Sequence, residues 1–156
     1  MSGNVNIESR LANLLKRYGN GEDETAPTGK QWEALLSFPS NIPVTLINYF
    51  KLRERAQYPA GHGEGMNVSG VEAFTRYAGL AAPYVEKSGG KFLFMGPVIG
   101  SFIGQDTDWS VAVVGAYPSP EAALSLFEEP GYIECYIHRK AACERQYIMI
   151  ATEQQP

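Results

Sequence analysis

Apolar residues first recur at helical spacing at Ile7, Leu11, Leu14, Leu15 and Tyr18, which predicts an amphipathic helix with one apolar stripe. Gly19-Asn20-Gly21 stops it, and Glu22-Asp23-Glu24 reads as a solvated loop. Thr28 followed by Gln31 fits a capping box, so a second short helix carries Trp32, Leu35 and Leu36. From Val44 the pattern changes to alternation: Val44, Leu46, Asn48, Phe50 and Leu52 share one face of a strand. Ser69 and Glu72 form a second capping box, and Val71, Phe74, Ala78, Ala81 and Val85 repeat at helical spacing up to Gly89-Gly90. Pro83 lies inside that helix, and the residue four before it, whose carbonyl its ring crowds, is Gly79.

Lys91 to Ile103 predicts a second strand, bent at Gly96-Pro97, and Trp109 to Tyr117 a third. Ser119-Pro120 starts a helix that breaks at Pro130-Gly131 and resumes through Ala142. Gln146 to Thr152 reads as a fourth strand. The order is β-α-β-β-α-β, so the fold class is α+β, ferredoxin-like, with a helical N-terminal extension. Pro39 and Pro43 bracket the division into an extension, residues 1–41, and a ferredoxin-like domain, residues 42–156. In this arrangement both helical layers cover one sheet face. Residues 111–116 are nonpolar on both sides, so the other face also calls for cover. A second copy in a twofold homodimer supplies it, or the N-terminal stripes do.

With 156 residues, the chain is long enough for a sizeable core without disulfides or a structural metal. Its 13 basic and 17 acidic residues give a net charge of −4 with no basic cluster, which argues against nucleic acid. The apolar stretch from Phe92 to Ile103 is too short and too interrupted for a membrane span. No signal peptide is evident, so the expected compartment is the cytoplasm. Cys135 and Cys143 are separated by about 12 Å of rise on a helix, too far for a disulfide, and read as reduced.

The segment Phe127-Glu128-Glu129-Pro130-Gly131-Tyr132, with Arg139 seven residues after the Tyr, resembles a family pattern, as does Tyr77 upstream of Gly89-Gly90-Lys91-Phe92. Together they resemble the family called domain of unknown function 1330, in the dimeric α/β-barrel superfamily, over about residues 44–152. The resemblance implies a ferredoxin-like fold and sheet-to-sheet dimers, and no particular reaction. Superfamily relatives include cofactor-free monooxygenases, lyases and haem-degrading enzymes. Residues 1–41 and the long loop 53–69 depart from the compact entry that the family implies.

Tyr132, Tyr136 and Arg139 fall on one side of a helix, with His138 on a neighbouring strip. They read either as a site for an anionic or carbonyl substrate, with Arg139 as fixed cation, or as structure, with Arg139 paired to a carboxylate. The loop Gly61-His62-Gly63-Glu64-Gly65 reads either as a lid carrying His62 over a cleft or as a solvated loop. His62, His138 and Arg139 are thus the catalytic candidates. Asn48, a lone polar residue on an apolar strand face, must find a partner, protein or ligand. With Tyr77, Trp109, Tyr132 and Tyr136 it makes the substrate-binding set. No metal-ligand spacing or dinucleotide fingerprint occurs, so no metal or cofactor is expected. The sequence therefore predicts a protein of uncharacterised role that binds a small, partly apolar metabolite between sheet and helices. It is either a cofactor-free isomerase, lyase or monooxygenase, or a non-catalytic ligand-binding or interaction module.

Overall fold

The computed structural model describes residues 2–62 and 67–153. The two N-terminal helices are α1 (Ser2–Tyr18) and α2 (Gly29–Ser37). They are followed by β1 (Val44–Leu52), α3 (Gly70–Lys87), β2 (Lys91–Pro97), β3 (Val111–Tyr117), α4 (Pro120–Glu128), α5 (Pro130–Ala142) and β4 (Cys143–Ala151). The sheet is antiparallel in the order β2-β3-β1-β4. With α4 and α5 together as the second crossover, the main part is β-α-β-β-α-β. Both capping boxes form: Thr28 with Gln31, and Ser69 with Glu72. At the end of α3, Gly89 donates to the Glu86 carbonyl and Gly90 to the Val85 carbonyl, the paired bonds that close a helix before a strand. Glu129 caps both α4 and α5, and Pro130 occupies the first position of α5, where its missing N–H costs nothing.

The core lies on one side of the sheet. Val44, Leu46, Asn48 and Phe50 of β1, with Val113 and Tyr117 of β3, face Phe74, Tyr77, Ala81 and Val85 of α3 and Tyr132 and Tyr136 of α5. The N-terminal stripes join this same cluster through Leu14, Tyr18, Trp32 and Leu35. They lie against the α4–α5 layer. Tyr18 meets Phe127 and Tyr136 edge-on, and its hydroxyl donates to the Phe127 carbonyl at 2.6 Å. Arg10 reaches Glu121 and Glu128 on α4. The opposite sheet face keeps Phe94, Tyr147 and Met149 exposed.

Four expectations are corrected. The second strand ends at Pro97: after Val98 donates to Ser110 the chain leaves the sheet, and Ile99, Phe102 and Ile103 are almost fully exposed. The third strand starts at Val111, not Trp109. The fourth starts at Cys143, directly after α5 with no loop between. On α3, Val71 is turned to solvent. Gly70 is pressed against the Arg53 carbonyl, so Ala73, not Val71, begins the buried stripe.

Candidate functional site

Helix α5 delivers Tyr132, Tyr136 and Arg139 to the inner side because residues four and three apart share a face. The Arg139 head is 4% exposed, and no carboxylate pairs with it among the described residues. Its Nε donates to Gln146 Oε1 at 2.9 Å. Its Nη1 donates to the Tyr77 hydroxyl at 3.1 Å and to the Tyr132 hydroxyl at 3.2 Å. Those two hydroxyls are 2.7 Å apart and share one hydrogen bond. Nη2 is buried without a partner. The guanidinium lies 4.9 Å from the ring centres of Phe50 and Tyr136, close enough for cation–π attraction.

Arg139, Tyr77 and Tyr132 line a cavity of about 40 Å³ between sheet and helices, together with Asn48, Phe50 and Phe92. Of its lining residues only Ala78 and Phe92 are not buried, so the cavity meets solvent at the gap between α3 and β2. Burial pushes the Tyr132 hydroxyl well above its ordinary value and Tyr117 up to about 12. Tyr136 is likewise raised to about 12 by burial, and so is the Cys143 thiol. All four are neutral near pH 7. Burial works against the Arg139 charge, yet the group stays well above its ordinary value and is protonated. A fixed, protonated cation thus sits in a shell of neutral groups.

A family model, domain of unknown function (DUF1330), matches residues 65–152. The chain belongs to the DUF1330 family. That match starts later than the resemblance over 44–152 and covers α3 to β4, the part that carries Tyr77, Tyr132 and Arg139. Two crystal structures of one Rhodopseudomonas palustris protein, described as of unknown function, are similar to this DUF1330 chain. The methylated form is 28% identical, covers 85% of this chain and 96% of its own, and superposes with a TM-score of 0.76. The second has the same identity, covers 85% and 98%, and has a TM-score of 0.75. No curated protein matches the chain.

The other site candidates scatter. Asn48 does line the cavity, but both its N–H groups go to backbone carbonyls, those of Leu46 at 3.1 Å and Val113 at 3.0 Å, leaving its oxygen as acceptor. Tyr136 turns its hydroxyl to the Thr25 carbonyl at 2.6 Å and contributes its ring face to Arg139. Three expectations fail to meet the cleft. His138 faces outward on α5, where Nδ1 is 2.7 Å from the Tyr58 hydroxyl, and burial holds its pKa below the ordinary imidazole range. His62 is exposed and does not line the cavity; Gly63, Glu64 and Gly65 lie outside the described residues. Trp109 stacks on Tyr147 and Tyr49, on the sheet face away from the helices, with Arg145 4.2 Å from its ring centre. Strand parity explains this: Tyr49 points opposite to Asn48. Two residues were missed, Phe50 and Gln146. They are direct partners in the β1–β4 register, and Gln146 is another polar residue on an inward strand face, the signal that singled out Asn48. Among the described residues no group of three His, Cys, Asp or Glu side chains is placed to hold a metal.

Proposed function

We propose that this DUF1330 protein binds a small, partly apolar metabolite in the cleft between sheet and helices. Arg139, Tyr77 and Tyr132 hold its anionic or carbonyl end, and Ala78, Ala81 and Phe92 border the rest. One observation carries the reading: a buried guanidinium on a cavity wall with one nitrogen unpartnered and, among the described residues, no acid paired with it. A buried charge left so is expensive, and in a protein that binds nothing it is more simply replaced by an apolar side chain. Binding is favoured over proton transfer. The titratable hydroxyls of the cavity whose ionisation burial suppresses, Tyr132 and Tyr117, do not act as bases near neutral pH, and both histidines face elsewhere. Ligand-observed NMR with a panel of small polar-headed metabolites tests this. Saturation transfer is expected with the wild type and is lost in Ala81→Phe, which fills the cavity, and in Ala78→Phe at its mouth. No transfer with the wild type, or equal transfer with all three proteins, overturns the reading.

The same proposal includes a homodimer through the open sheet face. Phe94, Tyr147 and Met149 are exposed there, and the N-terminal helices pack on the other side of the molecule. Light scattering in dilute solution is expected to give twice the 17.1 kDa chain mass, and a stable monomer overturns this part.

A further inference from the structure

Resting on the cleft reading, we infer that the ligand is a monocarboxylate, bound by its carboxylate at Arg139 with its apolar tail directed toward Phe92. The hydrogen count selects this head group. Arg139 carries five N–H hydrogens. One goes to Gln146 and two go to the hydroxyls of Tyr77 and Tyr132, which leaves both hydrogens of Nη2. Those two hydroxyls both accept from Nη1, and one of them donates to the other. The hydrogen of the second hydroxyl is left over. Three donors next to one positive charge are thus unused among the described residues.

A ketone or aldehyde has one oxygen with two lone pairs and no charge, so it leaves a donor idle and the guanidinium unbalanced. A carboxylate has two oxygens with about four acceptor sites and the compensating charge, so it can take a spare donor from Nη2 and one from the tyrosine hydroxyl together. Phosphate and sulfate are dianionic or tetrahedral and larger. The cavity of about 40 Å³ has room for a planar head and little more. The tail must then leave by the mouth, past Ala78 on α3 and Phe92, which is 40% exposed on the edge strand β2.

Sodium butyrate and its near-isosteric ketone 2-pentanone are the test pair, titrated into the full chain and followed by NMR of the arginine side-chain nitrogens. Butyrate is expected to bind at least about tenfold more tightly, the factor a charge-assisted hydrogen bond supplies. It should also shift the Arg139 resonances. Arg139→Met should remove that preference and leave 2-pentanone unaffected. Tyr132→Phe keeps the cation and should weaken butyrate by a smaller factor, which protects the test if the Met variant does not fold. Equal or tighter binding of 2-pentanone overturns the carboxylate assignment and leaves the cleft reading standing. Binding of neither, in a protein whose cavity residues also ignore the wider metabolite panel, overturns both.

Discussion

Arg139 holds a charge that no acid among the described residues pairs with. Three aromatic rings and three neutral acceptors surround it, and Nη2 is unbonded. Replacing buried ions by apolar residues of similar volume is often neutral or stabilising by about 1–4 kcal/mol. Arg139→Met is therefore expected to unfold at the same or a higher temperature than the ligand-free wild type, checked by differential scanning calorimetry. A large drop would mean that the guanidinium holds the core together and that its role is structural. The tyrosines around it add a pH signature. Tyr136 and Tyr117 keep their protons to about 12, whereas in the unfolded chain they ionise near 10. Between those values the unfolded state has lost protons that the native state retains, so stability is full below pH 10 and falls as pH rises toward 12. Loss of the folded circular-dichroism signal is expected to set in between pH 10 and pH 12. At this scale the sequence was readable along one helix and unreadable across elements. The spacing of Tyr132, Tyr136 and Arg139 is local, so the shared face followed from periodicity. The bonds from Arg139 to Tyr77 and Gln146 join α5 to α3 and β4, and no local pattern encodes them. Trp109 was misplaced because its strand was started two residues early.

Among the elements, α3 sets the wall of the cleft, and two of its glycines differ sharply. A Cβ at Gly70 would come within 2.0 Å of the Arg53 carbonyl oxygen, in backbone that follows β1 directly. Backbone there cannot yield as a side-chain tip does, so Gly70→Ala is expected to cost about 1–3 kcal/mol. Gly79 sits in the helix interior with nothing within 4 Å of its added Cβ. Gly79→Ala is expected to stabilise by about 0.5–1 kcal/mol, because alanine loses less chain entropy on folding. Urea denaturation of the two variants beside the wild type checks both signs. Capping boxes and turn signals made most elements legible: both predicted caps form, and β1 spans Val44–Leu52 as its alternation indicates. The β2 boundary was not legible, because Val98, Ile99, Phe102 and Ile103 are as apolar as a strand, although the chain has already left the sheet after Val98. Hydrophobicity alone does not distinguish a buried strand from an exposed apolar connection.

For the whole molecule the open question is whether residues 1–41 are an addition to a complete fold or part of it. The prolines at 39 and 43 mark a boundary in the chain, but the packing crosses it. Leu14 and Trp32 are almost fully buried in the same cluster as Phe127 and Tyr136. The link continues to the site: the Thr25 carbonyl accepts from the Tyr136 hydroxyl at 2.6 Å and from Gln146 Nε2 at 3.2 Å, and Gln146 in turn accepts from Arg139. Removing residues 1–41 would expose the α4–α5 face and strip the partner from two buried or half-buried donors. Burial of side chains of this size is worth about 1.5–3 kcal/mol each, and total stability for a domain is only about 5–15 kcal/mol. Four large residues of the extension are at stake, Leu14, Tyr18, Trp32 and Leu35, so a chain starting at residue 42 is expected to lose its cooperative thermal transition. Circular-dichroism melting of that chain against the full protein decides it. A sharp transition within a few degrees of the full chain would make the extension an accessory. A broad, non-cooperative one would make it the cover that the α4–α5 layer, and through Thr25 the cradle of Arg139, requires.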